Sequence, residues 1–239
     1  MREPVIVARL GRKPYRATYE LQKDLQSRRL RGEIPDCLLL VEHPPTYTIG
    51  RGGGAENLLV REALLKKRGF EIYHTDRGGD ITYHGPGQLV GYPILDLRRR
   101  DRDLHRYLRD LEGCLIQCLA GFGVRGERLP GLTGVWVNER KIASLGVRVV
   151  RWVTMHGFAL NVSTDLEAFR SIVPCGIRGC RMITLEKLLK TRIDLDIVAD
   201  RFEAAFTDIF HLSASHVEPE SLLNHPLTDR APFSRVAGF

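Results

Sequence analysis

An α+β fold, with a largely antiparallel or mixed sheet flanked by helices, is what this 239-residue sequence predicts. Three observations carry that expectation. Short apolar, β-branched stretches recur along the chain, and helical patterns interrupt them. The interruptions lack the strict strand–helix–strand alternation of a doubly wound sheet. In the second half, three strand-like stretches follow one another directly, two of them joined by the turn Asn138-Glu139-Arg140. No Pro/Gly/Ser-rich linker divides the chain. One domain is therefore expected over residues 1–212, followed by a polar, loop-like tail over 213–239.

In chain order, residues 5–9 are β-branched and read as a first strand. Residues 15–29 carry Tyr19, Leu21 and Leu25 among charges and read as a helix. Residues 36–42 contain an unbroken apolar run, the pattern of a buried strand. Pro44-Pro45 breaks it, and residues 46–49 resume extended chain before a glycine loop at 50–54. A helix over 62–68 and strands over 71–75 and 89–95 follow. A long helix over 104–122 carries Leu104, Leu108, Leu111, Leu115 and Leu119 on one face. Strands are expected over 134–137, 141–150 and 158–162, then helices over 184–189 and 197–210.

Composition narrows the class. Hydrophobic residues make up 43% and charged residues 27%, too apolar for a disordered chain. The longest apolar strings suit strands, not bilayer spans. The apolar N-terminal run is too short for a signal peptide, and five cysteines is an odd count in a chain too large to need staples. Free thiols in a reducing cytoplasm are expected. The net charge of +7 admits an acidic partner: nucleic acid, a membrane surface or an acidic protein. Of the 36 basic residues, lysines stand only at 13, 23, 66, 67, 141, 187 and 190.

The densest polar cluster is Arg77-Gly78-Gly79-Asp80-Ile81-Thr82-Tyr83-His84-Gly85-Pro86-Gly87-Gln88. Its glycines let the backbone approach a ligand, and Arg, Thr and His supply donors. The alternative is a long surface turn. Gly50-Arg51-Gly52-Gly53-Gly54 lacks the Gly-Lys-Ser/Thr ending of a nucleotide loop and reads as a mobile loop. Cys37, Cys114 and Cys118 read as core. Cys175, in Pro174-Cys175-Gly176, is a candidate nucleophile beside Arg178 and Arg181; an inert pair with Cys180 or a partial metal site are the alternatives. Lys141 opens an apolar strand in a chain that otherwise uses arginine. A lysine amine can give up its proton and a guanidinium cannot, although an edge-strand lysine is the commoner case. His156-Gly157-Phe158-Ala159 places small residues where a ligand can lie beside a strand.

Together these segments resemble the lipoyl(octanoyl) transferases. The Arg-Gly-Gly-x-x-Thr-x-His-Gly-Pro-Gly-Gln pattern of that family matches at 77–88, Lys-Ile-Ala-x-x-Gly at 141–146, His-Gly-x-Ala-Leu-Asn at 156–161 and Pro-Cys-Gly-Ile at 174–177. The resemblance implies the biotin/lipoate protein ligase catalytic fold. It implies transfer of an octanoyl group from octanoyl-acyl carrier protein to a lysine of lipoyl domains, in oxo-acid dehydrogenase complexes and the glycine cleavage H protein, the first step of endogenous protein lipoylation. Cys175 would form the acyl thioester with Lys141 as acid and base. Arg77, Gly78, Gly79, Asp80, Ile81, Thr82, Tyr83, His84, Ser144, Leu145, Gly146, Gly157, Phe158 and Ala159 would line the acyl site. No metal and no cofactor are implied, and no nucleic-acid or membrane partner. Cys180 lies outside the family pattern.

The implied chemistry is consistent with the residues. A free thiol with pKa ~8.5 is only a few per cent thiolate at pH 7, and an adjacent ammonium favours the anion. Exchange of one thioester for another is nearly balanced, and the final amide is more stable, so no ATP is needed. The same-fold rival, a ligase that forms an acyl-adenylate, needs no thiol. A nucleic-acid module is disfavoured because only Arg98-Arg99-Arg100 cluster and no aromatic platform accompanies them.

Overall fold

The structure is a computed structural model and describes residues 2–222. Its main sheet has eight strands. β1 (Glu3–Arg12) lies between β2 (Asp36–Glu42) and β11 (Leu212–His216) and runs parallel to both. β6 (Gln88–Ile94), β10 (Val153–Asn161), β9 (Arg140–Val150), β8 (Leu132–Val137) and β7 (Glu127–Leu129) extend it from β2 in that order, each antiparallel to its neighbour. A smaller sheet places β3 (Thr46–Ile49) between β4 (Glu71–His74), parallel to it, and the antiparallel β5 (Ile81–His84). The mixed α+β architecture expected from the sequence is therefore present.

The two-residue period of β2 builds the core. Leu38 and Leu40 face one side, where α3 (Leu104–Ala120) and α5 (Leu195–Ile209) bring Leu111, Leu115, Phe202 and Phe206 against them. Cys37, Leu39 and Val41 face the other, packed with Leu25 of α1 (Tyr15–Leu30), Tyr92 and Ala159. Burial on both faces explains the unbroken apolar run of this strand. Each such side chain contributes about 1.5–3 kcal/mol on burial. Asp103 caps α3 by accepting from the His105 and Arg106 amides. No helix among the described residues is long and apolar enough to cross a membrane.

The structure departs from the sequence reading in three places. Residues 81–84 form β5, where a turn-like cluster was the alternative to a site. Residues 213–216 belong to β11 and pair with β1, so that part of the expected tail is not loop-like. As an edge strand of Leu-Ser-Ala-Ser-His it buries only its first residue fully, which leaves no apolar alternation to read. The tail expectation over residues 223–239 lies outside the described residues. Finally, β10 begins at Val153 rather than 158, because His156 (φ 60°) and Gly157 interrupt the β-branched pattern without ending the pairing.

Candidate active site

The site is built where β8, β9 and the Pro174–Gly176 turn meet. Asn138 and Glu139, with φ of 48° and 59°, make the tight turn that folds β9 back on β8. That pairing buries Lys141 to 1% exposure. Its Nζ lies 5.3 Å from the centroid of the Trp136 ring, a cation–π arrangement. β8 passes so close that a Cβ on Gly134 would sit 2.6 Å from Lys141 Cε, and the Gly134 φ of 133° belongs to glycine as well. The fully buried carboxylate of Glu112 in α3 fixes this crossing. It accepts from the Gly134 amide at 2.9 Å and from Arg109 and Arg128 at 2.7 and 3.1 Å.

Cys175 comes to the same place on a left-handed turn. Its φ is 57° and that of Gly176 is 69°, a conformation that costs a non-glycine residue roughly 1 kcal/mol or more. The turn is held from below. Asn57 accepts from the Val173 amide at 2.8 Å, and its side chain donates to Asp80. Asp80 Oδ2 lies where a Cβ on Gly176 would come within 2.6 Å. The result is a Lys141 Nζ to Cys175 Sγ distance of 3.1 Å, with Ser144 Oγ 3.7 Å from the sulfur.

A cavity of about 430 Å³ opens beside this pair. Its floor is made of small residues in register across two strands: Ser144 faces Ala159 and Gly146 faces Gly157. Its roof is the 77–80 loop, pinned by the Gly78 amide donating to Val147 O at 2.8 Å. A Cβ on Gly146 would approach Gly78 O to 2.8 Å, so floor and roof meet only because both carry glycine. One part of the wall is apolar, with Leu104, Leu108, Leu132, Leu145, Val147 and Phe158; another is polar, with Tyr15, Arg77, Thr82, His84 and Tyr92.

Burial sets the charges around it. Arg77 is 7% exposed and donates to Thr48 O at 2.6 Å, Thr48 Oγ1 at 3.0 Å and Gly78 O at 3.1 Å. Desolvation lowers its pKa. Desolvation also drives His84 down to about 3 and His43 to about 4, so both are neutral at physiological pH. His156 Nε2 lies 2.7 Å from Asp76 Oδ1. Burial lowers the histidine despite this partner, while the hydrogen bond from His156 is the main cause that brings Asp76 down to about 2. Of the two cysteines in the 174–180 segment, Cys180 is pushed up to about 11 by burial, although Lys141 opposes the shift. It stays a thiol at neutral pH, with Sγ 3.8 Å from Met182 Sδ.

Of the residues expected at the site, Lys141, Cys175, Arg77, Gly78, Gly79, Asp80, Thr82, His84, Ser144, Leu145, Gly146, Gly157, Phe158 and Ala159 all border the cavity. Ile81 and Tyr83 do not. The pleat of β5 turns them away from Thr82 and His84, into a core with Tyr47 and Phe169. Asp80 also lies under the Cys175–Gly176 turn, where it accepts from the Asn57 side chain. The 50–54 loop, read as mobile, braces the roof: the Arg51 and Gly52 amides donate to Arg77 O and Gly79 O, each at 3.0 Å. Tyr15, Tyr92 and Glu112 were not singled out by sequence reasoning, because aromatic residues in a helix or strand read as core and a helical glutamate reads as solvated.

Residues 14–207 match the model of the lipoyl protein ligase A/B catalytic domain. An octanoyltransferase of Solibacter usitatus is 52% identical over 201 residues, 84% of this chain and 90% of that protein. A crystal structure of lipoate-protein ligase A bound with ATP is similar with a TM-score of 0.74 at 19% identity, covering 91% of this chain and 89% of that one. The biotin protein ligase of Aquifex aeolicus follows with a TM-score of 0.50 at 12% identity, covering 87% and 69%. Fold and site thus define an enzyme on the catalytic scaffold shared by lipoate and biotin ligases. The chain belongs to the lipoyl protein ligase A/B catalytic-domain family and, within it, to the octanoyltransferases.

Proposed function

We propose that this enzyme moves an octanoyl group from octanoyl-acyl carrier protein to a lysine of a lipoyl domain through a thioester on Cys175, with Lys141 as acid and base. The observation that carries this reading is the 3.1 Å contact between Lys141 Nζ and Cys175 Sγ at the edge of an acyl-sized cavity. The ammonium supports the thiolate. The thiolate attacks the donor carbonyl, a new C–S bond forms, the donor C–S bond breaks and the carrier thiolate leaves as a thiol with a proton taken from Lys141. The sulfur is then neutral, and Lys141 loses the anion that held its charge. It gives up its proton more readily and can take one from the incoming lysine amine as that nitrogen attacks. The C–N bond forms, the C–S bond breaks and the Cys175 thiolate returns.

The apolar wall suits the octanoyl chain, each buried methylene contributing ~0.8 kcal/mol. The lipoyl domains of oxo-acid dehydrogenase complexes and the glycine cleavage H protein are the acceptors on this reading, and the cytoplasm is its setting. A thioester donor makes ATP unnecessary, which separates this reading from the adenylate route of the ligases. Octanoyl transfer to a lipoyl domain from octanoyl-acyl carrier protein should proceed with ATP removed by apyrase. Transfer that requires ATP and free octanoate would refute the reading.

A further inference from the structure

Two of the five large hydrophobic side chains that stand exposed among the described residues fall within six positions of each other, Leu59 at 59% and Leu64 at 40%. They lie on the loop before α2 (Glu62–Lys67) and on that helix. Around them the chain from 51 to 68 places Arg51, Arg61, Lys66, Lys67 and Arg68, all exposed, against Glu56 and Glu62. Among the described residues only Lys66 of these cations has a carboxylate within ion-pair distance, Glu62 at 3.3 Å. Exposed apolar groups rimmed by charge that is mostly of one sign and mostly unpaired are the marks of a docking surface.

This patch is tied to the nucleophile. The Leu59 amide donates to Ser171 O at 2.9 Å, Leu58 pairs with Ile172, and the Val173 amide donates to Asn57 O at 2.8 Å. The next residues are Pro174 and Cys175. Arg51, at the other end of the patch, borders the cavity. A macromolecule seated here is therefore held against the segment that carries the reacting sulfur.

We infer that the Leu59–Leu64 patch docks the protein of the acyl donor, an acidic carrier whose charge would complement these cations and whose tethered thioester would enter past Arg51. The inference rests on the donor proposed above. Its content is additional: carrier recognition lies on the 51–68 segment and is separable from chemistry at Cys175.

The test uses Lys66→Glu with Arg68→Glu, and separately Leu64→Ser, in the full chain, measuring Cys175 acylation by two donors. For octanoyl-acyl carrier protein, KM should rise about tenfold or more at low ionic strength. For octanoyl-N-acetylcysteamine, which has no protein to dock, the rate should stay unchanged, and that control also reports correct folding. Transfer from preformed acyl-enzyme to a lipoyl domain should be unaffected. A KM for octanoyl-acyl carrier protein that is the same in the variants as in wild type would overturn the inference. So would a defect confined to the lipoyl-domain step, which would assign the patch to the acceptor. Absence of any Cys175 acylation in the wild type would instead overturn the thioester reading itself.

Discussion

Lys141 Nζ stands 3.1 Å from Cys175 Sγ, although 34 positions separate them in the chain. Lys141 is 1% exposed, and among the described residues no carboxylate lies within ion-pair distance of its amine. Its neighbours are the sulfur and the face of Trp136, 5.3 Å away. A buried cation with so few partners is sensitive to the state of one of them. On the proposed reaction, acylation of the sulfur would change that partner, and this would couple the two half-reactions.

Lys141→Arg keeps the positive charge and removes the ability to act as a base. The β8 backbone, packed on Lys141 Cε, also leaves little room for a planar guanidinium. Turnover should fall by about a hundredfold or more. Near-normal transfer by this variant in a steady-state assay would remove the proton-carrier role.

Gly134→Ala should be as damaging as a change to the lysine itself, since the added methyl would meet Lys141 Cε at 2.6 Å and Ala143 O at 2.7 Å. Glu112→Gln retains an acceptor for the Gly134 amide while losing the charge that pairs with Arg109 and Arg128. Glu112→Ala loses both. Across this pair kcat should fall in the order wild type, Gln, Ala. The pH profile of kcat should also move, because the strand cradling the amine shifts. Equal kcat and an unmoved profile in Glu112→Ala would dissociate this carboxylate from the amine.

Asn57→Ala and Asp80→Asn loosen the floor of the Cys175 turn. Misplacement of a reacting group by about 1 Å can cost up to a hundredfold. Alkylation of Cys175 by iodoacetamide should slow in both variants while the melting temperature changes little. Unchanged alkylation would show that the turn holds its shape without them.

Stability should depend on pH through His43 and His84. Their folded-state values, about 4 and about 3, lie below the ordinary 6.5. Above about pH 6.5 neither state is charged and nothing is lost. Between about 6.5 and 4 the unfolded chain binds protons that the folded chain refuses, so stability falls as pH falls. The slope is about 1.4 kcal/mol per pH unit for each histidine. Urea midpoints between pH 7 and 4.5 should show this decline, and His84→Asn should reduce it. A flat profile would mean that both rings are protonated in the fold.

Much of this site is legible in the sequence. The 77–88 cluster, Lys141, the 156–161 stretch and Cys175 each break the pattern of their surroundings, and the structure gathers them around one cavity. β2 was legible because burial on both faces leaves a continuous apolar run. Ile81 and Tyr83 were misplaced because a motif names residues in sequence order, while a strand sends alternate ones to opposite faces. Glu112 was invisible for another reason. Its meaning depends on the amide of Gly134, 22 positions away, and a lone carboxylate on a helix carries no trace of that partner. β11 went unread because an edge strand needs apolar residues on neither face.

The central claim is a covalent octanoyl group on Cys175. Wild-type enzyme incubated with octanoyl-acyl carrier protein, without a lipoyl domain, should be acid-quenched, digested and analysed by peptide mass spectrometry. The account predicts an octanoyl adduct on the peptide carrying Cys175, absent in Cys175→Ser and discharged on adding a lipoyl domain. An adduct on Cys180, or transfer to the lipoyl domain with no acyl-enzyme formed, would contradict it.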